Sequence, residues 1–194
     1  MDEIGPVTLR RCQEGDHEAF EELVRVYEGP ISATIYRLMG GCSRSELEDY
    51  TQDVFLKVYE CLHRFETDRG VKFSTWLFTI LRNHCYNQLK KRARRSQTIR
   101  VDDGIQLPAE DGNPREHYFN QRRGQQVGEA VQRLPEDQRW VIVLRFYENL
   151  SYDEIGETLG LAVGTVKSRL YRAKETLRTM LSNGRHPAAL KRGD

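Results

Sequence analysis

The chain has 194 residues, of which 30 are Lys or Arg and 29 are Asp or Glu, so its formal net charge is only +1. The signs are separated along the chain, since seven basic residues and no acidic ones lie in 76–101, and such separation indicates two different partners. No window approaches the roughly 18 consecutive apolar residues of a membrane helix, and the N-terminus lacks a signal-peptide core. Charged residues make up 30% of the chain and hydrophobic residues 38%, which suits a soluble, mostly helical protein, and no membrane insertion is expected.

The residues that usually hold metals or carry out catalysis are scattered. No two of the cysteines Cys12, Cys42, Cys61 and Cys85 form a CxxC pair, and the five histidines lie in unrelated segments. This spacing argues against a zinc site or a disulfide framework and favours reduced thiols in the cytoplasm. A phosphate-binding loop, a nucleophile elbow and an HExxH motif are all missing, so we expect no enzyme activity, cofactor or metal.

The first 40 residues carry apolar side chains at helical spacing. A short helix is predicted from Thr8 to Gln13, and Asp16 is placed to cap a second helix. Gly29-Pro30 is predicted to interrupt that second helix, and helical spacing resumes at Ile31. Nothing in these helices requires chemistry, so we interpret them as core-building.

An acidic helix comes next. Ser43 and Glu46 form a capping-box pattern that opens a helix to about Leu62. Its first turns present a polar, mostly acidic surface made of Glu48, Asp49, Gln52 and Asp53. Acids near a helix N-terminus are also favoured by the helix dipole, so this helix alone leaves a capping role and a binding role open.

The following loop and helix carry the basic segment. The loop spans Phe65 to Phe73 and includes Arg69 and Gly70, and Ser74 is placed to cap a helix to about Arg95. One stripe of that helix combines amides, an aromatic ring and cations at spacings of three and four: Asn83, Tyr86, Asn87, Lys90 and Lys91. Cations follow phosphates and aromatic or amide groups engage unstacked bases, which predicts single-stranded nucleic-acid binding. The alternative is a solvated basic face with Tyr86 packed inward.

Residues 96–125 contain scattered glycines, prolines and acids with little periodicity. We interpret this segment as a flexible linker between two small helical domains at 8–95 and 126–182. The predicted fold class is therefore all-α.

The segment 150–181 reads as a helix-turn-helix. Ser151 and Glu154 form a second capping box, and Gly160 ends the first short helix. The second helix turns Val166 and Leu170 inward, and its other faces carry polar and basic residues that could enter the DNA major groove: Thr165, Lys167, Ser168, Arg169 and Arg172. The alternative is a surface helix pair whose cations are merely solvated.

Three segments in order resemble the bacterial RNA polymerase sigma factors, in particular the extracytoplasmic-function (ECF) type of the sigma-70 family. They read ELEDYTQDVFLKVYECLHRF, KFSTWLFTILRNHCYNQLKKRAR and LPEDQRWVIVLRFYENLSYDEIGETLGLAVGTVKSRLYRAKETL. The resemblance implies a sigma-2-like domain at 8–95 and a sigma-4-like domain at 126–182. It implies core RNA polymerase, promoter DNA and an anti-sigma factor as partners.

The resemblance also implies roles for the candidate residues. Glu48, Asp49, Gln52 and Asp53 would contact the coiled coil of the polymerase β′ subunit, and the sigma-4-like domain would meet the β flap. The loop with Arg69 and Gly70 would capture a base flipped from the minus-ten element, and the basic helix would hold the melted strand. The second helix of the helix-turn-helix would read the minus-thirty-five element.

Two other classes fit parts of the pattern. A dimeric helix-turn-helix regulator would bind duplex DNA without polymerase, but it would need neither the acidic helix nor the helix 74–95. An adaptor that titrates a protein partner through its acidic helix would support no transcription with core polymerase.

Overall fold

The computed structural model describes residues 3–40, 42–66, 70–95 and 124–183. Within these residues the regular elements are helices, which confirms the predicted all-α fold. In chain order they are α1 (Pro6–Gln13), α2 (His17–Met39), α3 (Arg44–Cys61), a 3-10 turn (Leu62–Arg64), α4 (Phe73–Arg95), α5 (124–132), α6 (Glu136–Phe146), α7 (Tyr152–Leu159) and α8 (Val163–Asn183).

The first unit is built from α1 to α4, and the starts of α2 and α3 follow the predicted chemistry. The Asp16 carboxylate accepts hydrogen bonds from the backbone N–H groups of Glu18 and Ala19 at the start of α2. Ser43 and Glu46 form the complete capping box of α3, so the start of the acidic helix is set locally. Tyr27 lies fully buried at the centre of this unit, where it supports the packing of α2.

Two predictions about helix ends in the first unit were wrong. Pro30 lies inside a continuous α2, because Tyr27 and Ile31 on either side of it are fully buried and hold the helix in place. The helix α4 begins at Phe73, one residue before the predicted cap. The backbone N–H of Ser74 donates to the Glu3 carboxylate, 71 residues away, so a distant side chain satisfies this helix end.

The second unit comprises α5 to α8 and contains the predicted helix-turn-helix. Ser151 and Glu154 form the capping box of α7, and Gly160 ends this helix in the left-handed conformation. The backbone N–H of Thr165 donates to the Ala162 carbonyl, so α8 begins there without a side-chain cap. The apolar side of α8 packs inward as predicted, because Val166, Leu170 and Ala173 are buried.

Gly156 lies in α7, against the backbone of the turn that leads to α8, and there is no room for a side chain at this position. A Cβ atom on this residue would lie 2.8 Å from the backbone carbonyl oxygen of Leu161, whose own N–H donates to the Gly156 carbonyl. We predict that Gly156→Ala destabilises the chain by about 1–3 kcal/mol, because a backbone oxygen cannot turn away as a flexible side chain can. Thermal unfolding followed by circular dichroism would show a melting temperature several degrees lower.

Gly164→Ala is the matched control for this prediction. Gly164 lies in α8, and a methyl group added there would meet nothing within 4 Å, so alanine should be neutral or stabilise the helix by up to about 1 kcal/mol. Equal melting temperatures for the two variants would contradict the crowding at Gly156.

The two units pack against each other and share one hydrophobic core. The helix α2 contacts α6, and α4 contacts α7. Polar contacts accompany this packing: Thr34 on α2 donates a hydrogen bond to Glu148 after α6, and Arg139 on α6 donates to the Leu38 carbonyl. The predicted linker at 96–125 lies outside the described residues except for 124 and 125, which begin α5.

Candidate nucleic-acid interface

The amide, aromatic and basic stripe of α4 lies on the surface. Asn83, Asn87, Lys90 and Lys91 are exposed, and 41% of the Tyr86 side chain is accessible to solvent. The inward packing of Tyr86, which was the alternative to single-strand binding, is therefore wrong. The structure brings these five predicted residues together on one helix face.

The Tyr86 ring makes a cation–π contact with Lys90. The ammonium of Lys90 lies 4.4 Å from the centre of the Tyr86 ring, and Arg82 donates to the Asn83 side-chain oxygen at 3.4 Å. A base could stack on the exposed ring while the cations contact the phosphates on either side of it. Gly70, within the preceding loop, has a positive φ of 70°, and Arg69 lies outside the described residues.

The second helix of the helix-turn-helix, α8, exposes most of its predicted duplex-reading residues. Lys167, Ser168 and Arg172 are exposed and Thr165 is half-buried. The Ser168 hydroxyl donates to the Thr165 carbonyl at 2.9 Å, and Arg172 Nε lies 3.4 Å from the Ser168 carbonyl oxygen. Ser168 and Arg172 are thus neighbours one turn apart, on a helix face that is open to a ligand.

Arg169 differs from the other predicted duplex-reading residues. Its guanidinium lies 3.7 Å from the Asp137 carboxylate and is only 28% exposed. It lines a cleft of about 400 Å³ together with Arg82 and Tyr86 of α4 and Trp140 of α6. Arg169 therefore lines a cleft that it shares with α4 of the first unit. Sequence spacing alone could not show this, because the residues of the cleft lie on helices that are far apart in the chain.

The acidic surface of α3 is exposed along its whole predicted length. Glu48, Asp49 and Gln52 are exposed, and half of the Asp53 side chain is accessible. The Asp53 carboxylate lies 3.8 Å from the ring of the buried His84, and burial, the largest cause, lowers the pKa of that histidine. Asp53 lies on the side of α3 that faces α4, whereas Glu48 and Gln52 lie on the side that faces α2. The predicted residues therefore occupy two sides of this helix.

Sequence reasoning missed an apolar groove beside the acidic residues. Glu48 and Gln52 border a groove of about 800 Å³ between α2 and α3, whose α3 wall includes Leu56 and Tyr59. Leu56 is 61% exposed and Tyr59 is 47% exposed. The signal available in the sequence was the position of Leu56 and Tyr59 one and two turns after Gln52, on the acidic side of the helix.

The cysteines form no part of these surfaces. Cys12, Cys42 and Cys85 are buried free thiols, and burial raises the pKa of Cys85 to about 12. Thiolate is the reactive form, so these three side chains are inert at neutral pH. None of the helices within the described ranges combines the length and the apolar character that a membrane crossing requires.

An exposed helix-turn-helix, a basic stripe with an exposed aromatic ring and a separate acidic face are together typical of a helical DNA-binding protein. Comparison with known families agrees with this class. The family model for Sigma-70 region 2 matches residues 23–95, and the model for Sigma-70, region 4 matches residues 124–177.

Sequence similarity to individual sigma factors covers most of the chain. The chain is 32% identical to the ECF RNA polymerase sigma factor SigW of Bacillus subtilis over 89% of this chain and 94% of the relative. It is 34% identical to SigE of Mycolicibacterium smegmatis over 87% of this chain, and it spans 65% of that longer relative. The chain therefore belongs to the ECF sigma factors of the sigma-70 family, which serve promoter-specific initiation of transcription by RNA polymerase.

A solved structure supports the same conclusion. The sigma factor RpoE of Bartonella quintana, in complex with the anti-sigma factor NepR, matches 84% of this chain and 96% of its own with a TM-score of 0.68 and 30% identity. The likeness extends over both units.

Proposed function

We propose that the chain divides promoter recognition between its two units, with 8–95 serving the minus-ten element and 126–182 the minus-thirty-five element. The observation that carries this proposal is the exposure of three chemically different surfaces on three helices: acidic on α3, amide, aromatic and basic on α4, and polar basic on α8. A promoter opener needs one surface for polymerase, one for a single strand and one for duplex DNA.

The polymerase surface is assigned to α3. The carboxylates of Glu48, Asp49 and Asp53 provide charge for recognition, and the groove beside them offers apolar area at Leu56 and Tyr59. A polar rim around an apolar centre is the usual anatomy of a protein interface. The β′ coiled coil is the expected occupant, and the second unit would contact the β flap.

The strand-holding surface is assigned to α4 and the loop before it. Lys90 and Lys91 would supply a sequence-independent attraction that weakens as salt rises, while Asn83, Tyr86 and Asn87 would add base preference. Arg69 and Gly70 would help to receive a base flipped from the minus-ten element, whose unstacking costs a few kcal/mol.

The duplex-reading surface is assigned to α8, where Lys167, Ser168 and Arg172 are exposed and Thr165 and Arg169 are half-buried beside them. We predict that Arg172→Ala reduces discrimination for the upstream element by roughly ten- to a hundredfold, because a base-edge contact from arginine contributes about 1–3 kcal/mol. Transcription from promoters with matched and substituted upstream elements measures this ratio.

Arg178→Ala is the control for Arg172→Ala, since it removes the same charge from an exposed position of the same helix, beside Glu175. It should leave discrimination unchanged. If the Arg172 variant uses every upstream sequence as well as the parent does, Arg172 is only a surface cation.

The overall function is tested by adding the purified chain to core RNA polymerase and promoter DNA from its own genome. Specific initiation that depends on the chain supports the proposal. Tight binding of a palindromic duplex without polymerase would favour a dimeric regulator instead. The chain would act in the cytoplasm, would need no cofactor or metal and would not itself be an enzyme, since polymerase performs the chemistry.

A protein regulator is also proposed as a partner. The similar RpoE of Bartonella quintana was solved in complex with an anti-sigma factor, and its likeness to this chain extends over both units. Purification of the chain from its native cells, followed by identification of the proteins bound to it, tests this partner.

A further inference from the structure

The N-terminal segment, residues 3–13, contacts both ends of the loop that leads into α4. At the start of this loop, the side-chain amide of Gln13 donates to two backbone carbonyl oxygens, one of which is that of Phe65 at 2.7 Å. At the end of the loop, the backbone N–H of Ser74 donates to the Glu3 carboxylate at 2.9 Å. One short segment therefore holds the chain where the loop begins and where it ends.

The contact at the start of the loop comes from the last residue of α1. The second acceptor of the Gln13 amide is the Leu62 carbonyl oxygen, at 3.0 Å, which also accepts a hydrogen bond from the Phe65 N–H. An isolated helix as short as α1 would not be stable in water, but Leu9 and Cys12 are buried and hold it against its neighbours. Gln13 is thus presented to the loop from a fixed position.

The contact at the end of the loop satisfies a group that α4 cannot satisfy itself. Ser74 is the second residue of α4, and the first N–H groups of a helix have no carbonyl partner within it. The Glu3 carboxylate provides the acceptor, and its negative charge is favourable at a helix N-terminus. The neighbouring Ile4 is buried and its N–H donates to the Tyr27 hydroxyl at 3.3 Å, so this part of the segment is also tied to α2.

Aromatic side chains at the two loop ends meet as well. The ring centres of Phe65 and Phe73 lie 5.3 Å apart in an edge contact, and the Trp76 ring lies 5.4 Å and 5.5 Å from them. Burial of these rings draws the loop ends together, but apolar burial is not directional. The hydrogen bonds from Glu3 and Gln13 add a direction, because they act on particular backbone atoms.

We propose that residues 3–13 form a clamp on the loop that captures a flipped base, with Glu3 and Gln13 as positioning residues for that capture. The inference rests on the proposed function of the loop and names the residues that hold it in place. Flipping a base out of its stack costs free energy, and a loop that had to be ordered at the same moment would add to this cost. A loop whose ends are fixed beforehand avoids that addition.

Hydrogen exchange at the Ser74 amide tests the clamp without DNA. In the full chain, Glu3→Ala should speed exchange of this N–H by about tenfold, because the group loses its acceptor. Glu3→Gln keeps a side-chain oxygen that can accept, so its exchange should stay within about threefold of the parent. Glu14→Ala removes an exposed carboxylate next to Gln13, and it should leave exchange at Ser74 unchanged.

Promoter opening tests the role of the clamp in base capture. An abasic site is placed in turn at each position of the non-template minus-ten element, and opening with core polymerase is followed by the permanganate reactivity of thymines. The parent chain should lose roughly tenfold or more at the captured position. Glu3→Ala with Gln13→Ala should lose about threefold or less there, because it already holds that base poorly, while abasic sites elsewhere should affect both chains alike.

A further variant separates positioning from a loss of folding. Gln13→Glu keeps the size of the side chain but has no amide donor, so it should match Gln13→Ala in the opening assay. Glu3 is exposed, and Glu3→Gln should restore the parent pattern of abasic sites. Polymerase affinity and melting temperature should stay near those of the parent in the Glu3 variants, since the polymerase surface is assigned to α3.

The possible results separate the clamp from the proposed function. Unchanged exchange at Ser74 in Glu3→Ala would overturn the clamp. If exchange rises but the double variant keeps the parent pattern of abasic sites, the aromatic rings hold the loop and the clamp has no role in capture. If the parent shows no position with a larger loss, base capture by the loop is wrong and the positioning role falls with it, while exchange at Ser74 still decides whether the segment holds the loop.

Discussion

Replacing both Asp49 and Asp53 with lysine is expected to weaken binding to core RNA polymerase by about a hundredfold or more. Both side chains are exposed on α3, and reversing two charges in a complementary interface places like charges opposite each other, which costs several kcal/mol. The helix should remain intact, because its start depends on Ser43 and Glu46. Competition with a labelled sigma factor for core polymerase measures the loss of affinity.

The matched control for this variant is Glu129→Lys with Glu175→Lys. Both glutamates are exposed in the second unit, and each lies beside an arginine of its own helix, Arg133 or Arg178. The double substitution changes the net charge by the same amount. Unchanged polymerase affinity in the Asp49 and Asp53 variant, with unchanged helicity, would remove the assignment of α3. An equal loss in both double variants would indicate a general effect of net charge.

Replacing Asn83 and Asn87 with alanine is expected to reduce promoter opening by about ten- to thirtyfold. The two amides are exposed one turn apart beside Tyr86, and two lost hydrogen bonds to the opened strand contribute about 1 kcal/mol each. Polymerase binding and the closed promoter complex should stay near normal, because neither uses these amides. The reactivity of promoter thymines towards permanganate measures the opening.

Gln125→Ala with Gln126→Ala is the control for the asparagine variant, since it removes two exposed amides from α5. An artificially melted promoter should restore only part of the lost activity, because the strand must still be held. Normal thymine reactivity in the Asn83 and Asn87 variant at the native promoter would show that these amides do not hold the strand.

Features that depend on near neighbours could be predicted from the sequence. The capping boxes at Ser43 and Ser151 and the left-handed Gly160 follow from residues within four positions of one another. The exposure of Asn83 and Lys90 follows from helical spacing in the same way. Such interactions lie within one or two turns of helix, so the amino-acid order alone specifies them.

Features that join distant residues could not be predicted in this way. The apolar side chain of Leu56 favours burial, yet α2 leaves it uncovered beside an open groove. Local propensity ended a helix at Pro30, yet the burial of Tyr27 and Ile31 carries α2 through it. In both cases the outcome depends on which helix lies opposite, which the local pattern does not contain.

The sequence by itself determined the all-α class, the capped starts of α2, α3 and α7, the helix-turn-helix and the residue types on each surface. Only the tertiary structure decided that Arg169 faces Asp137 and that Thr34 meets Glu148 across 114 positions of the chain. The physical reason is the separation along the chain between the residues that interact. Capping and helical spacing act between neighbours, whereas the contact between the units arises from apolar burial among helices that are far apart in the chain.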